Sequence, residues 1–342
     1  METIELQPKL RVVTVGGGTG THTILKGLKR YHERADLRAI VTMADSGGST
    51  GRLRDEFGHL PVGDVRMALA ALAADVESHD ELVRELFLYR FAKGEGLSGH
   101  NFGNLLLTAL TDILGSEVAA IESASRILRV RGTVLPVTTD NVHLQAEYDD
   151  GVVLVGEHDI DEPTEERTNN RITHLSVTPH ACINPAAATA LAEADLIVFG
   201  PGDLYTSILA NCVVDGFAEA LRASEATTVF VANLMTKAGQ TTGMTLSDHV
   251  RELEAYIKRS VDCVLVNNAQ LPEELLKRYA AAYEYPVVAD VECLVEQEVI
   301  AADLLVREQV VLQSGDTLKR SLIRHDSDRL AAAVMELGGV RE

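Results

Sequence analysis

Short apolar runs rich in β-branched residues alternate with longer segments of helical periodicity along most of the chain. The runs are RVVTV, LRAIVTM, DLIVFG, TTVFVAN and VDCVLVNN, which begin at residues 11, 37, 195, 227 and 261. Strands that are apolar on both faces and separated by helices are typical of a parallel sheet covered on two sides. With right-handed crossovers, the pattern predicts a three-layer α/β/α fold around a mainly parallel, Rossmann-like sheet.

The pattern changes between about residues 134 and 178. The stretch VHLQAEYDDGVVLVGEHDI alternates apolar and polar positions around the turn Asp149-Asp150-Gly151, and ITHLSVTP follows as a further strand. Such alternation is typical of a hairpin with one face in water. We expect an antiparallel insertion or edge subdomain here, within a single domain that spans 1–342. Residues 81–131 are predicted to be mostly helical.

Composition narrows the classes of ligand. The 342 residues are 46% hydrophobic and carry a formal net charge of −20, which argues against nucleic-acid binding. The sequence has no run of 18 apolar residues, so no membrane span is predicted. Four cysteines without a CxxC pair are interpreted as buried thiols in a reducing cytoplasm. A protein this acidic is expected to bind phosphates through backbone amides and a few basic groups.

The stretch VVTVGGGTGTHTILKGL, residues 12–28, leads from a strand through glycines into a helix. The candidate phosphate-binding residues are Gly16, Gly17, Gly18, Thr19 and Gly20, whose amides can approach an anion at a helix start. There is no Gly-Lys-Ser/Thr, so the P-loop interpretation fails, and Thr21 breaks the dinucleotide fingerprint GxGxxG. The alternative is a tight turn that binds nothing.

A second segment, ADSGGSTGRLRDEFGHLPVGDVR, follows the next strand. Its candidates are Asp45, Ser46, Ser49, Arg52 and Asp64. A carboxylate beside hydroxyls and arginines at a strand end can bind ribose or uracil, or hold Mg²⁺ with phosphates. If the protein is an enzyme, Asp45 is the candidate metal ligand or base. The alternatives are a helix N-cap or turn acid at Asp45 and a helix-capping acid at Asp64.

Three further groups follow the same rule of position. GLSGHNFGN offers His100, Asn101, Gly103 and Asn104 before an apolar helix, with ordinary helix capping as the alternative. GPGDLYTS supplies Gly200, Gly202, Asp203, Tyr205, Thr206 and Ser207, and Asn233 ends a later strand. Because the carboxyl ends of parallel strands meet at one edge, these groups are expected to line one crevice that suits a ligand with two phosphates.

Six motifs occur in an order that indicates a family. They are GGGTG (16–20), MADSGGSTGRLR (43–54), LPVGDVR (60–66), GHNFGN (99–104), GPGDLYTS (200–207) and ANLMTKAGQT (232–241). Together they resemble the YvcK family of bacterial gluconeogenesis factors, relatives of the archaeal 2-phospho-L-lactate transferase (CofD-like proteins). The resemblance extends from about Val12 to Asp326.

The resemblance implies an α/β sandwich, a cytoplasmic location and a requirement in cell-wall and cell-shape maintenance on gluconeogenic carbon sources. It also implies a sensor that binds UDP-N-acetylglucosamine and feeds back, through a protein partner, on amino-sugar synthesis. Carried over position by position, the nucleotide site comprises 16–20, Asp45, Asn101, Asn104, 200–207 and Asn233, with Tyr279 and Arg324 as late contributions. The archaeal branch instead implies Mg²⁺-assisted transfer of a phospholactyl group onto a deazaflavin alcohol.

The sequence departs from the family pattern at a few positions. Asp203 stands where serine is common, which argues against a direct phosphate contact there, while Val62 and Met67 replace a usual proline and a frequent asparagine. SGGSTGRLRDEFG replaces the aspartate-rich segment expected after Asp45 in the deazaflavin enzymes, which favours the bacterial branch.

Three hypotheses stay open on the sequence. The first is a regulatory protein that binds a UDP-sugar, and the second is a Mg²⁺-dependent transferase. The third, an NAD-dependent oxidoreductase, is disfavoured by the broken fingerprint. Mg²⁺ is the one cofactor considered, and the sequence leaves the oligomeric state open, a homo-oligomer included.

Overall fold

The computed structural model describes residues 8–75, 78–307 and 322–340, and ten strands in these ranges form two sheets. The strands are β1 (Leu10–Gly16), β2 (Ala35–Val41), β3 (Thr133–Pro136), β4 (His143–Tyr148), β5 (Val153–Val155), β6 (Ile172–Thr178), β7 (Leu196–Phe199), β8 (Thr227–Val231), β9 (Cys263–Asn267) and β10 (Glu298–Ala302).

The α-helices of the described ranges lie mostly between these strands. They are α1 (Gly18–Leu28), α2 (Gly48–Phe57), α3 (Gly63–Leu72), α4 (Ser78–Leu88), α5 (Phe102–Leu114), α6 (Glu117–Ile127), α7 (Glu157–Asp161), α8 (Pro185–Glu193), α9 (Ala210–Cys212), α10 (Phe217–Arg222), α11 (Leu246–Ile257), α12 (Glu273–Ala280) and α13 (Ser327–Leu337). A π-helical turn, Leu204–Leu209, leads into α9. Short 3₁₀ turns cover Lys29–Tyr31, Glu165–Arg167 and Val291–Cys293.

The larger sheet has seven strands in the order β10-β9-β8-β7-β1-β2-β3, and all its pairings are parallel. The five apolar runs become β1, β2, β7, β8 and β9, so the predicted parallel sheet is confirmed. Strands β3 and β10, at the two edges, were not predicted. Residues 133–136 therefore belong to the main sheet, and the antiparallel strands begin later, at His143.

Hydrophobic side chains of the sheet pack on both of its faces. Val13 and Val15 of β1 join a core with residues of α8, α10 and α11, while Val12 joins a second core with residues of α1, α3 and α13. Alternate residues of one strand point to opposite faces, so a strand that is apolar throughout serves both cores. The α/β/α layers follow from this pattern.

The smaller sheet is antiparallel, in the order β5-β4-β6. The predicted turn at residues 149–151 joins β4 to β5, as the sequence pattern indicated. Leu144, Ala146 and Leu175 pack in the same core as α11. This sheet therefore covers one face of the main sheet, and α7 follows β5 directly.

Two other predictions had mixed outcomes. Residues 81–131 contain α4, α5 and α6, but 89–101 form a non-helical connection. All four cysteines are free, and Cys212 and Cys263 are buried as predicted. Cys182 and Cys293 are exposed, so the prediction of four buried thiols was wrong for these two, which lie in loops or short turns at the surface.

Candidate ligand-binding site

The strand order reverses direction between β1 and β7. From β1 the chain continues outward through β2 and β3, and after β7 it continues the other way through β8, β9 and β10. In an open parallel sheet, the loops after the two central strands diverge at such a point and leave a crevice at their carboxyl ends. This topology predicts where a ligand enters.

Two turns meet at that crevice. Gly17 is the N-cap of α1, in an extended conformation, and Gly18 has a positive φ of 60°. A Cβ atom on Gly20 would lie 2.1 Å from the carbonyl oxygen of Pro201, in the turn after β7. Only glycine allows this approach, so the glycine loop and the Gly-Pro-Gly turn pack backbone against backbone.

A cavity of about 330 Å³ lies beside these turns, and we call it the switch-point cavity. It is lined by residues 17–20, Asp45, Asp64, parts of 201–207, residues 233–237, and Tyr279 with 323–325. Glu157 and Asp161, at the two ends of α7, also line it. The loops after four strands of the main sheet and the helix after β5 thus meet around one space.

Carboxylates occupy the floor of the cavity. Asp64 accepts a 2.8 Å hydrogen bond from the backbone N–H of Gly18, so one amide of the glycine loop is already satisfied. Asp45 accepts one of 2.9 Å from the N–H of Gly47. Helix α3 begins at Gly63, which places Asp64 in its first turn, but the side chain caps the neighbouring loop instead of its own helix.

The acidic side chains raise one another's pKa. Loss of water contact, together with the charge of Asp45, raises the pKa of Asp64 to about 7. Loss of water contact also raises the pKa of Asp45 and that of Glu157, and the charge of Asp161 adds to both effects. The ionised forms of these carboxyl groups therefore repel one another, and a bound proton or cation reduces that repulsion.

Lys237 supplies a positive charge within the cavity wall. Its ammonium lies 2.9 Å from Asp161 Oδ1 and 3.3 Å from Asp203 Oδ2. Loss of water contact raises the pKa of Asp203, and the Lys237 charge opposes that effect. The acid at position 203, which argued against a phosphate contact in the sequence, is thus paired with a cation.

Arg66 and His325 are buried polar residues that the sequence interpretation did not include. The Arg66 guanidinium has no hydrogen-bonding partner for its buried Nε within the described ranges, and its charge lowers the pKa of Asp45 and of Asp64. Burial lowers the pKa of His325 to about 4, so this cavity-lining imidazole is neutral at neutral pH. Arg66 ends the motif LPVGDVR and His325 follows Arg324, but neither was predicted as a site residue.

Comparison with known proteins assigns the chain to a family. The family model described as 2-phospho-L-lactate transferase CofD matches residues 12–305. The gluconeogenesis factor of Bacillus subtilis is 41% identical over 333 residues, covering 96% of this chain and 98% of that protein. This chain belongs to the gluconeogenesis factor family.

Two further proteins are similar to this chain, one in sequence and one in fold. A putative gluconeogenesis factor of Thermotoga maritima is 41% identical over 325 residues, covering 95% of this chain and 98% of that protein. A crystal structure of a Bacillus halodurans protein superposes with a TM-score of 0.86 at 36% identity, covering 96% of this chain and all of that chain. The family model and these relatives together confirm the resemblance seen in the six motifs.

The structure separates the predicted site residues into two groups. Those that line the switch-point cavity are Gly17, Gly18, Thr19, Gly20, Asp45, Asp64, Gly202, Asp203, Thr206, Ser207, Asn233, Tyr279 and Arg324. Those outside its lining are Gly16, Ser46, Ser49, Arg52, His100, Asn101, Gly103, Asn104, Gly200 and Tyr205.

Several residues of the second group support the first. Asn101 caps α5 by accepting from the N–H groups of Gly103 and Asn104, so the capping alternative is confirmed. Asn104 Nδ2 donates to Ser49 Oγ and Thr50 Oγ1, and Ser49 Oγ lies 3.2 Å from His100 Nδ1. This buried network fixes the start of α2, directly after the Asp45 loop.

Three other predicted residues make structural contacts. Tyr205 is buried, and its hydroxyl donates to Glu252 and to the carbonyl of Ile172. Arg52 donates to the carbonyl of Ser98 at the surface. Ser46 accepts from the N–H of His158 in α7 and so holds that helix over the loop that carries Asp45.

The late cavity residues anchor the far wall. Asn233 Nδ2 donates to the carbonyl of Gly202 across 2.7 Å, which ties the loop after β8 to the loop after β7. The Tyr279 hydroxyl accepts hydrogen bonds from the N–H groups of Leu322 and Ile323. Tyr279 therefore positions the segment that carries Arg324 and His325.

The donor set limits how a cation can bind. In the described ranges, no three side chains of His, Cys, Asp or Glu are placed to share one metal ion. Mg²⁺ prefers oxygen ligands and is commonly held by one or two carboxylates together with phosphates of the substrate. The Asp45 and Asp64 carboxylates fit that partial role.

No described helix is long and apolar enough to cross a membrane.

Proposed function

We propose that this protein binds UDP-N-acetylglucosamine in the switch-point cavity and acts as a cytoplasmic regulator. The observation that carries the proposal is the meeting of the glycine loop with the Gly-Pro-Gly turn at the carboxyl ends of β1 and β7. Backbone amides at a helix start, on both sides of one crevice, suit a diphosphate between two polar groups.

The chemistry of the walls supports a sugar nucleotide over a redox dinucleotide. Thr206, Ser207 and Asn233 offer hydroxyl and amide groups that suit sugar hydroxyls and an acetamido group. Arg324 and Tyr279 offer a cation and an aromatic ring for the nucleoside end. The dinucleotide fingerprint, by contrast, is interrupted at Thr21.

Mg²⁺ is the cation that we expect to accompany the ligand. It would be held by Asp45, with Asp64 beside it, and by the phosphates, and it would supply positive charge that offsets the acidic floor. The chain's own part is to fix these carboxylates, Asp45 through the N–H of Gly47 and Asp64 through that of Gly18.

The relatives are described as factors in gluconeogenesis, which supports a regulatory role. In this role the liganded protein engages a protein partner in cell-wall precursor synthesis and supports cell shape on gluconeogenic carbon sources. The alternative is a Mg²⁺-dependent transferase acting on a nucleoside diphosphate ester. The carboxylates with raised pKa values and the name of the matching family model favour that second candidate.

Isothermal titration separates the two. Wild-type protein is titrated with UDP-N-acetylglucosamine, UDP, GDP, NAD and ATP, with and without Mg²⁺, and each mixture is then analysed for products. We expect selective binding of the UDP-sugar, which stays intact, and about tenfold weaker binding by Asp45→Asn. Asp55→Asn, an exposed acid on α2, is the matched control and should bind like wild type. Binding of GDP or NAD alone, or consumption of the UDP-sugar, would overturn the proposed regulatory function.

A further inference from the structure

Lys237 joins three segments of the chain at one point. The lysine lies in the loop after β8, and its partners are Asp161, at the end of α7, and Asp203, in the turn after β7. Thr206 and Gln240 donate to the same oxygen of Asp161 across 3.4 Å each. Asp161 is therefore held from several sides, and its carboxylate fixes the ammonium.

This ammonium lies on the wall of the switch-point cavity that is continuous with the glycine loop. Asp203 follows Gly202, and a Cβ atom on Gly202 would lie 3.7 Å from the carbonyl of Gly17. The Lys237 side chain is only 11% exposed, yet the residue lines the same cavity as residues 17–20. Lys237 and the two turns therefore border one space.

The charge balance of this wall favours a cation that binds phosphate. When ionised, Asp161 and Asp203 both repel an anion that approaches the turn after β7. Lys237 offsets one of them at contact distance. A lysine ammonium has three donors on a flexible stem, so one ammonium can contact carboxylates and a phosphate oxygen together.

We propose that Lys237 determines specificity for a diphosphate, because its ammonium binds the phosphate that carries the sugar while Asp161 and Asp203 hold it in place. This inference rests on the proposed function and names the part of the ligand that one residue recognises. It also assigns Asp203 a positioning role, in which the acid acts through the lysine and does not touch the ligand.

The test compares ligands that differ by one phosphate. Dissociation constants for UDP-N-acetylglucosamine, UDP and UMP are measured for wild type, Lys237→Met, Lys237→Arg and the matched control Lys93→Met, an exposed lysine. We expect Lys237→Met to weaken both diphosphates by about 10- to 100-fold, as for a lost charged hydrogen bond. UMP binding should change less than about threefold, and Lys237→Arg should recover most of the affinity.

Each other outcome has a definite reading. Equal losses for UMP and the diphosphates, or no loss at all, would overturn the role of Lys237 while leaving the proposed function intact. Failure of wild type to bind any uridine compound would overturn the proposed function and this inference with it. If Lys237→Met does not fold, Asp203→Asn/Lys237→Met removes both charges of the pair and must show the same selective loss.

Discussion

At the scale of single residues, the contact between Asp64 and Gly18 changes what the glycine loop can do. One loop amide is satisfied by a carboxylate, so an incoming phosphate meets fewer free N–H groups and a nearby negative charge. The pKa of that carboxyl is raised to about 7 because the group is largely removed from water and lies near Asp45. The site is therefore sensitive to protons close to neutral pH.

Asp64→Asn tests this sensitivity. A carboxyl pKa near 3.8 in the unfolded chain and about 7 in the folded protein means that the folded state binds the proton more tightly. The free energy of unfolding should then fall as the pH rises from about 4 to about 7. In the variant this slope should be reduced, and above pH 7 the variant should be more stable than wild type by at least about 1 kcal/mol.

Urea unfolding of wild type and Asp64→Asn between pH 4 and pH 8 checks the expectation. Asp55→Asn serves as the control, because this acid is exposed on α2. Parallel pH curves for wild type and Asp64→Asn would show that Asp64 titrates normally and would contradict its raised pKa.

The sequence marks such residues but does not reveal their partners. Asp64 and Asp203 were predicted as site residues from their place after strands. Their partners Gly18 and Lys237 lie 46 and 34 residues away, and nothing in the local pattern links them. Arg66 and His325 escaped the sequence interpretation because burial, which makes them notable, is a property of the folded chain.

At the scale of elements, the contact between the turns after β1 and β7 is the most constrained feature of the site. A Cβ atom at position 20 meets a backbone oxygen, which cannot rotate away as a side chain can. Gly20 is therefore required by close packing as well as by any ligand. A sequence interpretation based on the ligand alone explains only one of these two requirements.

Gly20→Ala should separate the two turns. The added methyl group would force the Pro201 carbonyl to move, at a cost of about 1–3 kcal/mol in the free energy of unfolding, and should abolish binding of the UDP-sugar. Gly96→Ala is the matched control, since no heavy atom lies within 4 Å of the added Cβ. Thermal unfolding and titration of both variants check this, and a Gly20→Ala protein with wild-type stability and affinity would contradict it.

The sheet elements were predictable in proportion to their burial. Strands β1, β7 and β8 are apolar along nearly their whole length, because both of their faces are covered. Strand β10, EVIAA, is partly exposed, and β3 has four residues and ends in proline. Edge strands lack the continuous apolar pattern from which central strands are recognised, so both were missed.

At the scale of the whole molecule, the site is built from parts that lie far apart in the chain. The parallel sheet supplies the glycine loop, the Gly-Pro-Gly turn and the loop after β8. The sequence predicted that they converge, because each follows a strand of a predicted parallel sheet. The antiparallel sheet supplies α7, whose Glu157 and Asp161 reach the same cavity. That contribution was not predictable, because the alternating pattern shows a hairpin but not the surface on which it packs.

The arrangement links the antiparallel sheet to the ligand. Ser46 accepts from the backbone of α7, and Lys237 pairs with the acid at the end of that helix. A ligand that contacts the Asp45 loop and Lys237 would therefore also affect the position of α7. Ligand binding in the cavity can thereby change a surface that a partner protein recognises.

A crystal structure of the protein with UDP-N-acetylglucosamine and Mg²⁺ tests the central claim most directly. We predict the diphosphate between residues 17–20 and the turn after β7, with the Lys237 ammonium beside the phosphate that carries the sugar and the metal ion at Asp45. Electron density for the ligand outside the switch-point cavity, or with its phosphates directed away from both turns, would contradict the account.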